Sequence, residues 1–277
     1  MGTTRTGLTL VLGGTGKTGR RVARRLTARG LPVRIGSRSG EPPFDWEDQS
    51  TWAPALREVE SVYLSYHPDL AAPGAAETIG RFAELAVASG VRRIVLLSGR
   101  GEEQAQVSER TVQRSGAEWT ILRSSWFSQN FSEDYLLEPV LSGEIALPAE
   151  DVAEPFVDAE DIADVAVAAL TEDGHAGQIY ELSGPRLLTF AEAAKEIAKA
   201  SGRQVCYVPI SPEQYTDGMI RQGVPAEYAA FLTELFTRVL DGRNAHLTDG
   251  VQRALGRQPR DFTDFARYAA ASGVWGG

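Results

Sequence analysis

The 277-residue chain has one cysteine, three histidines and only three lysines. A single cysteine, Cys206, excludes an internal disulfide and fits a reducing compartment, so a cytoplasmic location is expected. No base or nucleophile signature accompanies Cys206, which reads as a small buried residue. His67, His175 and His246 are scattered without metal-ligand spacing, and no metal is expected. No apolar run is long enough to span a bilayer, and the first residues lack a signal peptide's hydrophobic region, so no membrane association is expected. Positive charge is also short: 28 Lys and Arg stand against 37 Asp and Glu, a net charge of −9. This argues against nucleic-acid binding through the overall field. The one basic cluster, Arg20, Arg21, Arg24, Arg25 and Arg29, reads as a solvated helix face, with Arg20 or Arg21 within reach of a nearby phosphate.

What is present near the N-terminus is a short apolar run, Leu8 to Leu12, breaking into Gly13, Gly16 and Gly19 and then into a helical pattern. The G-x-x-G-x-x-G spacing is a variant of the dinucleotide-binding fingerprint. Glycines permit a tight turn and close backbone approach, and a helix N-terminus presents N–H groups to a phosphate. Gly16-Lys17-Thr18 resembles the end of a nucleoside-triphosphate P-loop, but that motif needs glycine at position 11, which is Val. Gly13, Thr15, Gly16, Lys17, Thr18 and Gly19 are therefore assigned to a dinucleotide.

The next strand, Leu31 to Ile35, ends in Gly36-Ser37-Arg38-Ser39. An acidic residue here would bind the adenosine ribose, whereas an arginine pairs with a 2′-phosphate. The first acid is Glu41, and Ser37 and Arg38 precede it, so the cofactor is read as NADP(H). Further strands are expected at 59–65, 93–97, 119–122 and 178–182, with a short strand end at Phe44 to Trp46. Helices are expected between them at 17–29, 51–56, 75–89, 108–114, 133–141 and 158–170. The alternation implies βαβ units, hence an α/β fold with a Rossmann-like, doubly wound parallel sheet. Beyond Ser183 the chain is mainly helical, with capping boxes at Thr189–Glu192 and Ser211–Gln214. Residues 1–182 are assigned to the nucleotide-binding domain. Residues 183–277 form a smaller helical substrate-binding subdomain, and 125–150 contribute to its pocket.

Ligands of open parallel sheets lie at the carboxyl ends of the strands. Ser65 and Tyr66, then Ser98, and then Ser124, Ser125 and Trp126 occupy those ends. Ser65, Tyr66 and Ser98 are assigned to the cofactor, with Ser98 and Tyr66 the candidate catalytic groups. The usual short-chain dehydrogenase acid is a tyrosine followed four residues later by lysine. None of the eight tyrosines has lysine at that position. Either the chain binds its cofactor without turnover, as a redox-sensing regulator would, or its reaction needs no such acid. Hydride transfer to an iminium carbon is of the second kind, because the neutral amine forms directly.

Gly13-Gly-Thr-Gly-Lys-Thr18, Ser37-Arg38-Ser39, Phe44-Asp-Trp46 and Ser61-Val-Tyr-Leu64 together resemble the NmrA-like branch of atypical short-chain dehydrogenases. So do Leu96-Leu-Ser98, Leu122-Arg123 with Trp126-Phe127, Asn130-Phe-Ser-Glu133, Pro155-Phe-Val157, Asp161-Ile-Ala163, Gly223 to Tyr228, Gly256-Arg257 and Pro259-Arg260. Within that branch the chain is most similar to the ergot-alkaloid reductases, the festuclavine synthase and agroclavine dehydrogenase group. The family's L-R-P motif carries proline where this chain has Ser124. The resemblance implies an NADPH-dependent reductase of C=N bonds or related conjugated, quinone-like systems. It also implies that C-terminal helices form the substrate pocket; Ser124, Trp126, Phe127, Asn130 and Tyr215 are the pocket residues expected. The partner is a small-molecule substrate, and the chain is expected as a monomer or homodimer.

Overall fold

The computed structural model describes residues 7–276. In chain order the elements are β1 (Leu8–Leu12), α1 (Gly19–Ala28), β2 (Val33–Gly36), α2 (Trp52–Ala55), β3 (Val59–Leu64), α3 (Ala75–Ala88), β4 (Arg93–Gly99), α4 (Glu103–Gln113) and β5 (Glu118–Ser124). There follow α5 (Asn130–Glu133), α6 (Leu137–Ser142), β6 (Glu144–Leu147), β7 (Ala153–Glu154), α7 (Ala159–Thr171), β8 (Gln178–Leu182) and β9 (Leu188–Thr189). The last are α8 (Phe190–Ser201), β10 (Cys206–Pro209), α9 (Pro212–Arg221), α10 (Ala226–Val239), α11 (Gly250–Leu255) and α12 (Phe262–Ala271).

The chain divides into two units. The first takes the described part of Met1–Ser124 together with Ala159–Leu182 and Thr248–Gln258. Its sheet has the order β2-β1-β3-β4-β5-β8, with every pairing parallel. Apolar residues run almost without interruption through β1, β3 and β4 because both faces are covered. Leu10, Leu12, Val62, Leu64, Ile94 and Leu96 face Ile79 and Phe82 of α3 and Ala105 and Val112 of α4. The opposite face is covered by α7, buried along nearly its whole length, with α1 packed beside it. Helices on both faces make the sheet doubly wound. Since β1 lies between β2 and β3, the strand order reverses at β1, which sets the Gly13–Gly19 loop at the switch point.

The arginine-rich face of α1 is corrected by this packing. Arg24 and Arg29 are exposed as expected, but Arg21 is buried and Arg25 nearly so. Arg21 Nε donates to Glu160 Oε1 at 2.7 Å, and Arg25 Nε to Asp164 Oδ1 at 2.6 Å. Burial alone would raise the Glu160 carboxyl, but hydrogen bonds from Arg25 and Arg21 outweigh it and hold the group below the usual carboxylate range. The cluster is a joint between α1 and the acidic first turn of α7.

The second unit takes Ser125–Asp158, Ser183–Leu247 and the described part of Pro259–Gly277. Its core is aromatic: Phe131, Phe156, Phe190, Phe262 and Trp275 are each at most 2 % exposed. The indole of Trp275 donates to the Phe131 carbonyl at 2.9 Å. Both capping boxes form as read from the sequence.

Three local expectations are overturned. Phe44-Asp45-Trp46 forms no strand; it is a loop whose Phe44 and Trp46 rings pack on Phe82. Residues 133–141 hold no single helix, because Asp134 is extended and Pro139 fits only the first turn of a helix restarting at Leu137. Cys206 is exposed, on a two-stranded ladder of β10 and β6 that has too few strands to cover both faces.

Candidate functional site

The cofactor cradle begins where β1 ends. Gly13 has φ 64°, the left-handed region, and the Gly16 N–H returns to the Gly13 carbonyl at 2.9 Å. A Cβ on Gly19 would stand 2.2 Å from that same carbonyl oxygen, and one on Gly14 would meet Ile35 at 2.8 Å. The first turn of α1 is thus seated directly on the loop, closer than any side chain permits. That turn carries no acidic residue, so nothing on the helix offsets the positive end of its dipole. Thr15 and Gly16 are exposed and Lys17 half-buried, whereas Thr18 is buried over Tyr63. Burial holds the Tyr63 phenol above its ordinary range, and the Thr18 side chain is its polar neighbour.

Register places the next loops beside this one. Leu12 pairs with Gly36, so Ser37 and Arg38 leave the sheet next to Gly13. Ser37 is braced by its carbonyl, which accepts from Gly40 and Phe44, while Arg38 stands exposed. On the other side of β1, a Cβ on Gly13 would touch Ser65, which follows β3, at 3.2 Å. Gly13, Gly16, Gly19, Ser37, Arg38 and Ser65 therefore line one edge. The contacts that only glycine allows bring the loop backbone against the start of α1, whose N–H groups suit an anion, so the residues fit a dinucleotide pyrophosphate.

Tyr66 and Ser98 share the strand edge but have different partners. The Tyr66 ring lies 4.9 Å from Trp46, edge-on, in the aromatic group of Phe44, Trp52 and Phe82. Ser98 is buried on the opposite side of its strand from Val95 and Leu97, and its hydroxyl donates to Glu109 Oε1 at 2.7 Å. Glu109 is itself 1 % exposed and is clasped by Arg123, Nε to Oε1 at 2.9 Å and Nη2 to Oε2 at 2.7 Å. With its proton committed to Glu109, the Ser98 oxygen offers lone pairs to any further partner. Beside this group, burial and the carboxylates of Asp69 and Glu109 push Glu102 up to about 8. Glu102 folds back over β4, where a Cβ on Gly99 would lie 1.9 Å from its Oε1.

Glu102, Glu109 and Asp69 escaped the sequence reading. Glu109 sits on a helix read as starting at Ser108 that begins instead at Glu103, and an acid in a helical pattern looks like a solvated one. Only the strand-end position of Arg123 hinted at a buried partner.

The expected pocket residues fall in both units. Ser124 closes β5 in the first unit, buried and paired with Gly99. In the second unit, Trp126 and Tyr215 both meet Phe236, at 5.0 and 5.7 Å between ring centroids. Asn130 hydrogen-bonds the Tyr135 hydroxyl, and the Tyr135 ring lies 5.7 Å from Phe236. Phe127 is engaged through its backbone, bridging Val157. Among the described residues no cluster has the makeup of a metal site, and no helix is long and apolar enough to cross a membrane.

Comparison with known proteins agrees with this geometry. Residues 13–173 match the NAD(P)H-binding family. The "uncharacterized oxidoreductase YesF" of Bacillus subtilis is 35% identical over 277 residues, covering 96% of each chain. Festuclavine synthase II of Penicillium roqueforti is 31% identical, over 94% of this chain and 97% of its own. Among solved structures, the NADP(H) complex of Citrobacter sp. triphenylmethane reductase superposes with a TM-score of 0.75 at 22% identity, over 95% of this chain and 99% of that one. The parallel sheet and near full-length similarity converge: the chain is an NAD(P)H-dependent oxidoreductase and belongs to the NAD(P)H-binding family.

Proposed function

We propose that the chain is an NADPH-preferring reductase that delivers hydride to a small conjugated organic acceptor, an imine, an iminium or a quinone-like compound. The observation that carries this reading is Arg38, exposed directly after β2 and beside the phosphate loop, where an NAD-specific site would present a carboxylate. A guanidinium fork suits a phosphate dianion, and Ser37 adds a hydroxyl.

When bound, NADPH supplies the hydride. Gly13 to Gly19 hold the pyrophosphate at the start of α1, and Arg38 and Ser37 take the 2′-phosphate. Ser65, Tyr66 and Ser98 then border the nicotinamide end of the sheet edge. Ser98 accepts hydrogen bonds there, because its own proton goes to Glu109. A donor such as an N–H of a carboxamide is the group it suits. No tyrosine–lysine pair stands ready to protonate an alkoxide. Conjugated acceptors whose reduced form leaves as a neutral amine or a stabilised anion ask least of the protein.

The test is NADPH oxidation followed at 340 nm (~) across a panel of cyclic imines, iminium salts, quinones and simple ketones. Turnover with members of the first three groups and not with ketones supports the reading. Tight NADPH binding with no turnover on any of them replaces it with a redox-sensing regulator.

A further inference from the structure

Among the buried donors of the second unit that the fold leaves unused, one is an indole set among aromatic rings. Trp126 is 9 % exposed, and its indole Nε1–H is closed off from solvent with no hydrogen-bond partner. Around it stand Phe190 at 5.5 Å and Phe236 at 5.0 Å, and Phe236 is flanked in turn by Tyr135 and Tyr215, each at 5.7 Å. The set grades outward: Trp126 lies deepest, Tyr215 is half-buried and Tyr135 is 38 % exposed. A core indole normally finds a partner for its N–H, as Trp275 and Trp52 do in this chain. An unpartnered one is an unpaid cost that a ligand's lone pair would remove.

We infer that Trp126 is a specificity-determining residue, whose N–H selects planar acceptors that carry a lone pair, such as a quinone carbonyl, over cationic acceptors that have none, such as an N-alkylated iminium. The inference rests on the reductase reading and narrows its acceptor class. Shape comes from the rings, since the faces of Phe236, Tyr135 and Tyr215 suit a flat conjugated ligand. Polarity comes from donors. Burial holds the Tyr215 phenol above its ordinary range, so it remains an O–H group alongside the indole N–H. Asp134 is the carboxylate that acts on this set, and it is exposed. Phe236 is the wall that yields on binding. Its helix α10 buries only Ala229 and Thr233, and α9 beside it buries none of its residues. A hydrogen bond between Thr216 and Thr233, 2.8 Å, ties the two helices together.

The experiment compares a 1,4-naphthoquinone with an N-methylated cyclic iminium salt on the full-length chain loaded with NADPH, in the native protein and in Trp126→Phe. The quinone KM in the variant should rise about tenfold more than the iminium KM, with kcat for the quinone changed much less. A second readout needs no folded variant: with 15N-labelled indoles, one tryptophan N–H resonance should move downfield on quinone addition and stay in place with the iminium salt. Equal KM changes for the two acceptors, or no indole resonance responding to quinone, overturns the role of Trp126 while leaving the reductase reading intact. Failure of native protein to turn over any imine, iminium salt or quinone of the panel overturns the reductase reading itself.

Discussion

Ser98 donates its hydroxyl proton to Glu109, 2.7 Å away, between the end of β4 and the middle of α4. The same carboxylate is held by two N–H groups of Arg123, a bidentate pair largely removed from water. Breaking a buried pair by removing one charge costs more than the pair itself contributes, because the partner is left behind. Glu109→Gln should therefore destabilise the chain by about 3 kcal/mol. Ser98→Ala should cost only about 1 kcal/mol, the worth of one hydrogen bond. Urea denaturation of the two variants checks the order; Ser98→Ala as the more damaging change would contradict it.

Gly19 gives a sharper test of the cradle. Alanine there drives a methyl into the Gly13 carbonyl, so Gly19→Ala should lose about 2 kcal/mol or more of stability and most of its NADPH affinity. Gly30→Ala is the comparison: unlike Gly19 it sits in the left-handed region, but it has nothing within 4 Å of the added carbon. It should cost about 1 kcal/mol and leave cofactor binding in place. Fluorescence titration with NADPH separates the two.

The cofactor preference turns on one side chain. Arg38→Ala should weaken NADPH binding by about 1.5–3 kcal/mol, the loss of a charge-assisted hydrogen bond. NADH, which lacks the 2′-phosphate, should bind nearly as before. Isothermal titration with both cofactors decides this, and equal losses would remove Arg38 from the phosphate site.

Glu102 predicts a pH dependence of stability. Burial, with Asp69 and Glu109 close by, pushes it up to about 8, so the folded chain retains a proton that the unfolded chain releases near pH 4.3 (~). Between those two values the folded state binds more protons, and stability falls as pH rises. The contribution is intact below about pH 4 and gone above about pH 8. Glu102→Gln should flatten this slope, gaining about 1–3 kcal/mol over the native chain at pH 9 and almost nothing at pH 4. Melting temperatures across that range provide the measurement.

The sheet and the glycine turn were legible because their causes are local. Leu8 to Leu12 announces a buried strand by unbroken hydrophobicity, Gly13 to Gly19 by spacing, and Gln178 to Leu182 by its position after a helix. The buried ion pairs were not legible. Arg21 with Glu160 and Arg123 with Glu109 are 139 and 14 residues apart, and a charged residue in an amphipathic pattern shows no sign of a distant partner. Cys206 misled for a related reason, since a residue type that is usually buried was set on a small ladder with a bare face. The compact units interleave along the chain: Thr248–Gln258 returns to cluster with the first, and Ser125–Asp158, part of which was read as contributing to the pocket, clusters with the second.

That return has a consequence for how the protein is made. The sixth strand of the sheet, β8, lies beyond residue 177, and its edge is pressed by α11, where Thr248 Oγ1 donates to the Glu181 carbonyl at 2.6 Å and Gly250 leaves no space for a side chain. During synthesis the first five strands emerge early, yet the β8 edge waits for about 70 more residues before its cover arrives. Until then the sheet carries an open strand edge, the surface most prone to pair with other chains.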